Sequence, residues 1–369
     1  MQLNPRPLVI IIITLVCGVV AAILLIGPVF YTSQWAIKNY VRTHPDDVAI
    51  ACFDPRAPAE GFYHNADDEY PLASTFKIVL LTAYAQEVAA GRLDEQESIP
   101  VSALEAYYLP GTDGGAHPEF LKSLGEGRQT LTLDEVVEGM VVYSSNAATD
   151  YLQARLQNVD YAELYQRLGL EQVSQPISIL GLYLALNNHE QGPAKVGSYN
   201  LEAALAAINK YEQAFLNDPA WRQAELEYVI KANNSAPLNV QKWFLGMYGM
   251  SGSARDLAKI LQAAYGYNDA LSLRAQAIMR QHLEWPLRVY PDNAKDFKIL
   301  ATKGGAWPAI LTSAWYAESP KGEPRVLVVL YANLRDDYWN TWLSNYSHQA
   351  FEASVLKNAD CAVFSELFK

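Results

Sequence analysis

The sequence predicts an α+β (α/β) fold in which one antiparallel sheet is flanked by helices and a mainly helical lobe fills the middle of the chain. Two observations predict it. Short apolar segments bounded by turn residues, such as Val48–Phe53 and Val326–Ala332, are typical of strands and lie near opposite ends of the chain. Between them, Tyr199–Leu283 is rich in Ala, Leu and Tyr and reads as helical. We therefore expect a sheet built from both termini, with a cleft where lobe and sheet meet.

Composition narrows the classes of function. The chain has 369 residues, enough for one large domain or two small ones with a proper core. Its net charge of -12, without any run of Lys or Arg, argues against nucleic acid as a main partner. The six histidines form no pattern of metal-ligand spacing, and no Gly-rich phosphate loop is present, so we expect no metal and no cofactor.

The first apolar stretch, Leu8–Phe30, contains no charged residue. As a helix it would rise about 34 Å, enough to cross a bilayer. Because no small-residue cleavage pattern follows it, we interpret it as an uncleaved anchor in contact with lipid, with a cleaved signal peptide as the alternative. This divides the chain into an anchor (residues 1–31), a linker (32–45) and a catalytic domain (46–369).

Helix-breaking and turn residues set the predicted bounds of the linker helix and the first two strands. Thr32–Thr43 is amphipathic and reads as a short helix, which His44 and Pro45 end. The turn-rich stretch Asp54–Pro58 separates strand Val48–Phe53 from a second strand over Gly61–Asn65, which predicts a hairpin.

Two helices in the first half have clear boundary signals. One begins near Ser74 and runs to Ala90, where Gly91 stops it. The other is predicted over Thr132–Leu156, because Thr132 and Glu135 have capping-box spacing.

The second half contains a helical insertion of about residues 182–250, interpreted as a lid or an added core layer, with a reshaped substrate groove as the alternative. The chain then returns to strands between Gly/Pro-rich turns. The predicted C-terminal elements are strands Lys298–Lys303, Leu311–Ala317 and Val326–Ala332 and a final helix over Tyr346–Asn358.

The segment Ser74-Thr75-Phe76-Lys77 lies at a helix start. Three residues on in a helix is nearly one turn, so the Lys77 side chain lies against Ser74. A lysine short of water and close to other cations loses its proton and can act as the base that a serine nucleophile needs. Taken alone, the pattern also fits an N-cap serine followed by a surface lysine.

Two further segments have the composition of a polar cleft. Ser144-Ser145-Asn146 offers a hydroxyl and a carboxamide two residues apart, although it also fits a helix boundary. Lys303-Gly304-Gly305 lies on a predicted strand, where glycines let a substrate backbone approach and the lysine attracts a carboxylate. An ordinary strand-end turn is the alternative for this segment.

In this order and spacing, Ser-x-x-Lys, Ser-x-Asn and Lys-x-Gly form the signature of class A β-lactamases and penicillin-binding proteins. The chain resembles the class A β-lactamase-like serine hydrolases over roughly Asp46–Lys369. The resemblance includes Pro71–Ala73 before the serine, Tyr107–Pro110 before the second segment and Ser253–Leu257 opening a late helix. It implies a β-lactamase/transpeptidase-like fold.

The resemblance also implies a role for each site residue. Ser74 would be the acylated nucleophile and Lys77 its base or proton relay, while Ser144 would pass a proton to the leaving nitrogen and Lys303 would support it. Asn146 would hold the substrate amide, and Gly305 would let the substrate approach the strand. The N–H groups of Ser74 and Ala306 would form the oxyanion hole, with Tyr107 or Tyr108 as a wall of the cleft.

Three departures from that family matter. Ser145 stands where β-lactamases carry Asp, and Gly304 stands where Thr or Ser offers a hydroxyl to the substrate carboxylate. The position of the family's deacylating glutamate holds Leu180, and Glu171 and Glu190 lie nine or ten residues away on either side. We therefore expect slow turnover of β-lactams.

Two classes of function follow. The first is an active serine acyl hydrolase acting on a small molecule or a peptidoglycan-type peptide, and the second is a non-catalytic penicillin-binding or sensor domain with the same fold. We expect a single-pass membrane protein with its catalytic domain outside the cytoplasm, and the oligomeric state stays open. For Cys52 and Cys361 the favoured expectation is two unpaired buried thiols, with a disulfide as the alternative.

Overall fold

Strands from both ends of the chain form one five-stranded antiparallel sheet in the order β2-β1-β11-β10-β9. The computed structural model describes residues 33–232 and 235–368, so the predicted anchor lies outside the described residues. Three small two-stranded ladders, β3 with β8, β4 with β5 and β6 with β7, accompany the sheet. The strands are β1 Val48–Phe53, β2 Phe62–His64, β3 Tyr70–Pro71, β4 Ser98–Pro100, β5 Thr130–Thr132, β6 Asn187–Asn188, β7 Gly192–Pro193, β8 Ser251–Gly252, β9 Ile299–Trp307, β10 Ile310–Glu318 and β11 Pro324–Tyr331.

The helices lie on both faces of this sheet and in a lobe inserted between β2 and β9. Within the described residues, none of them is both long and apolar enough to cross a bilayer. They are α1 Gln34–Thr43, α2 Lys77–Ala89, α3 Val101–Glu105, α4 Ala116–Ser123, α5 Leu133–Glu138, α6 Asn146–Arg155, α7 Tyr161–Leu168, α8 Ile179–Leu186, α9 Leu201–Asn217, α10 Pro219–Ala232, α11 Leu238–Tyr248, α12 Ala254–Ala264, α13 Leu273–Leu283, α14 Trp285–Val289, α15 Asp336–Asn345, α16 Ser347–Asn358 and α17 Ala362–Leu367.

The predicted sheet is confirmed by the strand pairing. β1 has the predicted bounds and pairs with β11 in the register Val48 opposite Tyr331. All six of its residues are buried, because helices cover both faces of the sheet and a strand buried on two sides needs no polar alternation. Alternate β1 residues face two different cores: Ala49 packs with the helical lobe, and Ile50 packs with α1 and the C-terminal helices.

The expectation of two unpaired thiols is wrong, because Cys52 and Cys361 form a disulfide. Cys52 points from β1 towards the C-terminal helices, and the turn before α17 brings the Cα atom of Cys361 within 5.6 Å of it. That spacing lies within the range a disulfide needs. The bond joins residues 309 positions apart and ties the first strand to the C-terminus.

The single helix predicted over Thr132–Leu156 is interrupted. Its capping box is present, but α5 ends at Glu138 and a π-helical turn follows. Ser144 then adopts a left-handed conformation, with φ 67°, that an α-helix cannot contain. Ser145 starts the next helix by accepting a hydrogen bond from the Ala148 N–H.

The region of the predicted insertion contains α9, α10 and α11, and α9 packs closely on α8. A Cβ atom on Gly181 would lie 2.6 Å from the carbonyl oxygen of Ile208, so only glycine permits this approach. Buried α9 residues such as Phe215 belong to the main core. The added helices therefore form a core layer over the described part of this region.

Candidate active site

Ser74 lies in a tight turn that precedes a buried helix. Ala73 has φ 46°, a strained value for a residue with a side chain, and Ala73–Phe76 form one turn of 3₁₀ helix that α2 continues. The N–H of Lys77 donates to the carbonyl of Ser74. Residues three apart eclipse in a 3₁₀ helix, so the side chains of Ser74 and Lys77 project from the same face of the turn.

The Lys77 ammonium group is fully buried and lies at the centre of a polar cluster. Its Nζ is 2.7 Å from the carbonyl oxygen of Ser144, 3.1 Å from Ser144 Oγ and 3.0 Å from Asn146 Oδ1. Burial, and then the nearby charge of Lys303, hold the pKa of Lys77 well below its usual value. Both causes favour the neutral form of the amine.

Lys303 approaches the same hydroxyl from strand β9. Its Nζ lies 3.0 Å from Ser144 Oγ and 2.8 Å from the carbonyl oxygen of Gly304. Burial lowers the pKa of Lys303 to about 7. Ser144 Oγ thus lies between two buried amines, and the left-handed backbone of Ser144 is what directs it there. We call Lys77, Ser144 and Lys303 the amine cluster.

A neutral Lys77 has a defined hydrogen-bond arrangement. The Ser144 carbonyl and Asn146 Oδ1 can only accept, so they take the two amine protons. The lone pair then remains for a hydroxyl proton. Asn146 Nδ2 donates to the carbonyl of Thr112 at 3.1 Å, which leaves one N–H of this amide for a ligand.

Strand β9 lies at the sheet edge and passes close to the Ser74 turn. A Cβ atom on Gly305 would lie 2.5 Å from the Ser74 backbone nitrogen, so glycine is required there. The carbonyls of Thr302 and Gly304 accept bonds from Trp285 and Lys303 side chains, which shows that even-numbered residues direct their backbone groups outward. By this alternation the Ala306 N–H also faces the open edge.

These elements enclose a cleft with a volume of about 980 Å³. The loop before α4, the interruption between α5 and α6, strand β9 and the C-terminal helices contribute its walls. Its lining includes Ser74, Gly111, Thr112, Asp113, Gly114, Tyr143, Ser144, Asn146, Tyr183, Trp285, Lys303, Gly304, Gly305, Ala306, Trp307, Trp339, Leu343, Tyr346, His348 and Gln349.

Tyr108 is not among the residues that line the cleft, contrary to its predicted place. Its ring packs on His117 at 4.7 Å, and His117 is fixed by a 2.9 Å hydrogen bond between Nδ1 and Ser145 Oγ. Tyr108 thus makes a tilted ring contact outside the cleft, and the loop 111–114 forms the wall instead. Ser145, which departs from the family pattern, therefore has a structural partner.

Neither acidic residue considered for deacylation reaches the cleft. The Glu171 side chain is 79% exposed and lies 3.8 Å from Lys259. Glu190 accepts a hydrogen bond from the Trp221 indole at 2.9 Å in the added helical layer. Leu180 is buried and is apolar, so the predicted position provides no base.

Sequence reasoning missed two acids near this region, the buried Asp150 and the half-buried Glu212. Asp150 accepts the backbone N–H groups of Ile179 and Leu180, both at 2.8 Å, and burial raises its pKa to about 7. Burial also raises the pKa of Glu212, whose carboxyl bonds Ser178. Asp150 lies one helical turn after Asn146, and an acid on that face was the available signal.

This architecture is similar to that of known proteins. The model of the Beta-lactamase enzyme family matches residues 33–353. A β-lactamase from Sphaerobacter thermophilus DSM 20745 is similar in structure, with a TM-score of 0.54 at 18% identity, covering 88% of this chain and 98% of its own. A β-lactamase from Chitinophaga pinensis DSM 2588 has a TM-score of 0.52 at 16% identity, covering 87% and 99%.

A β-lactamase from Francisella tularensis has a TM-score of 0.51 at 12% identity, covering 87% of this chain and all of its own. At these identities the structural likeness supports the fold. No curated protein matches the sequence. Because the family match spans well over half of the chain, the protein belongs to the β-lactamase enzyme family.

Proposed function

We propose that the protein is a membrane-anchored serine acyl hydrolase that forms an acyl-enzyme on Ser74. The observation that supports this most strongly is the convergence of two buried amines on Ser144 Oγ beside the Ser74 turn. Lys77 and Lys303 are both buried without a carboxylate in hydrogen-bonding contact, which is costly in free energy, and such perturbed groups in a cleft are typical of functional sites.

The proposed steps of acylation follow from the positions of the site residues. Ser74 Oγ attacks the carbonyl carbon of an amide, and its proton passes to the neutral amine of Lys77. The oxygen of the tetrahedral intermediate accepts from the N–H groups of Ser74 and Ala306. As the C–N bond breaks, Ser144 gives its proton to the leaving nitrogen and regains one from the protonated amine cluster. Asn146 uses its remaining N–H to hold the substrate amide.

The proposed substrate is a strained or exposed amide, such as a β-lactam ring or a peptidoglycan-type D-Ala peptide. The size and open edge of the cleft suit an extended small molecule that pairs with β9. Among the described residues that line the cleft, Asp113 is the acidic one, and its carboxylate is engaged by the N–H groups of Gly115 and His117. Water attack on the acyl-enzyme therefore has no dedicated base, and we expect slow deacylation.

Incubation with a fluorescent penicillin and with nitrocefin tests the proposal. Lasting fluorescent label with little colour change is the expected result. Rapid colour change would show a fast β-lactamase, and absence of both label and colour change would contradict acylation of Ser74 by β-lactams.

A second candidate is a non-catalytic penicillin-binding or sensor domain. It is favoured by the buried, apolar Leu180 at the position where a deacylating acid is expected. A thioester or D-Ala peptide substrate distinguishes the two candidates. A hydrolase releases product over many turnovers, whereas a sensor domain stops after one equivalent of product.

The anchor proposal concerns residues 8–30, with the catalytic domain outside the cytoplasm. The disulfide between Cys52 and Cys361 supports an oxidising compartment. Removal of residues 1–31 should leave a soluble domain that labels as fast as the full chain. A correctly folded truncated protein that stays in the membrane fraction would contradict this.

A further inference from the structure

The proposed function fixes which end of the cleft receives the leaving group. Ser144 Oγ protonates the leaving nitrogen, and it is 3.0 Å from Lys303 Nζ. Lys303 in turn reaches the carbonyl of Gly304. A substituent on the leaving nitrogen therefore extends along β9 past Gly304, towards the C-terminal helices that close this end.

The side chain that occupies this end comes from α16. A Cβ atom on Gly304 would lie 2.9 Å from Gln349 Nε2, so the carboxamide fills the space that a β9 side chain would take. Gln349 is half-buried and lines the cleft. Its amide forms no hydrogen bond with another residue in the described part of the chain, so both its donor and its acceptor are available to a ligand.

The charges at this end are sparse. Among the described residues lining the cleft there is no arginine, and the lining cation is Lys303, which already makes two hydrogen bonds. Next to Gln349, burial lowers the pKa of His348 to about 4, so its imidazole is neutral at pH 7. Trp339 and Leu343 add apolar surface. An anionic group here would lose water without gaining a full counter-charge.

We propose that Gln349 determines substrate specificity by pairing, through its carboxamide, with an uncharged amide or ester group on the leaving-group side. The substrate class is an amide whose leaving group continues as an internal peptide bond or ends in a carboxamide or ester, in preference to one ending in a free carboxylate. This inference rests on the proposed function and names the substrate of that same site.

The test compares acylation rates for matched pairs of probes by intact-protein mass spectrometry. The pairs are benzylpenicillin with its methyl ester and an acyl-D-Ala-D-Ala peptide with its C-terminal carboxamide. We expect the neutral member of each pair to acylate faster. Gln349→Ala should lose about tenfold of that preference, in line with one hydrogen bond, and mainly through KM. Gln213→Ala, on an exposed face of α9, is the control.

A second variant ensures that the test does not rely on truncation of Gln349 alone. Gly304→Thr combined with Gln349→Ala places a hydroxyl in the vacated space and should shift the preference towards carboxylates. Thermal unfolding of each variant checks the fold. Faster acylation by the carboxylate forms, with the ratio unchanged in Gln349→Ala, would overturn the inference while leaving the proposed function intact. No adduct with any probe would overturn the proposed function and this inference together.

Discussion

The amine cluster and helix α8 both contact α6, through Asn146 and Asp150, and they differ in the polar groups that they offer. The cluster holds two buried amines with lowered pKa values against one hydroxyl. α8 presents buried Ile179 and Leu180, held by backbone hydrogen bonds to Asp150. The first region is equipped to move protons during acylation, whereas the second is equipped to hold its backbone. Under the proposed function, the difference indicates that acylation and deacylation are supported unequally.

Substitution of the nucleophile gives the largest expected effect. Ser74→Ala should abolish covalent labelling, because no other hydroxyl lies one turn before Lys77, and the fold should persist because alanine fits the turn. Gel fluorescence with a labelled penicillin measures it, with Ser102→Ala, an exposed residue of α3, as control. Labelling of the Ser74 variant at the parental rate would show that the cluster serves a different residue.

The cluster should also give the reaction an alkaline limit. The pKa of Lys303 is about 7, so acylation should fall by about tenfold per pH unit well above that value as the ammonium loses its proton. Lys303→Arg keeps its charge at these pH values and should flatten the limb, even if acylation is slower overall. A parental profile that stays flat to pH 9 would contradict this role.

Loss of stability at high pH does not account for the alkaline limit on acylation. The Lys303 pKa is lowered from 10.5 in the folded protein, so the unfolded chain binds more protons between pH 7 and 10.5. For this group, stability therefore rises with pH across that window. Loss of acylation with unchanged or increased resistance to urea would assign the effect to the site.

On the α8 side, Asp150→Ala should affect stability more than chemistry. It leaves two buried N–H groups without an acceptor, and the expected loss is about 2 kcal/mol after the removal of a buried carboxyl is taken into account. Acylation should change by only a few fold. Urea unfolding and penicillin labelling measure the two effects, and lost labelling at unchanged stability would make Asp150 part of the reaction.

The same variant has a pH signature. The Asp150 pKa is raised from 3.8 to about 7, so the folded protein binds this proton more tightly. Its contribution to stability is complete below pH 3.8 and is lost as pH rises through about 7. Asp150→Ala should remove that slope between pH 4 and 7, and a parallel slope in both proteins would contradict the assignment.

The smallest effects are expected from the acids outside the cleft. Glu171→Gln and Glu190→Gln should leave the lifetime of the acyl-enzyme within about twofold of the parent, as for other surface substitutions. To compare these lifetimes, labelling is stopped and the mass of each protein is then measured over time. A lifetime lengthened many-fold in either variant would identify a base that the structure places elsewhere.

The sequence could predict what depends on local pattern. The bounds of β1, the capping box of Thr132 and the one-turn spacing of Ser74 and Lys77 all follow from short-range rules. These rules say nothing about contacts between distant segments. The sequence around Ser144 predicts a helix, but this residue is left-handed in the structure. Its conformation depends on packing around the cleft rather than on its sequence neighbours.

Other features depend on contacts that only the folded chain makes. The disulfide forms because the turn before α17 returns to β1, and the Tyr108 ring packs on His117 rather than lining the cleft. Gln349 reaches Gly304 from a helix whose position in the cleft no local pattern indicates. The proposed nucleophile could therefore be predicted from the sequence, whereas the residue proposed to recognise the substrate could not.

Time-resolved intact-mass spectrometry after mixing with benzylpenicillin tests the central claim, that acylation is supported and deacylation is not. A missing general base slows a step by about 10²–10⁴-fold, so the protein should gain the mass of one drug molecule and keep it for minutes. Digestion should place the adduct on Ser74. A rapid return to the free mass, with hydrolysed drug in large excess over protein, would contradict the account.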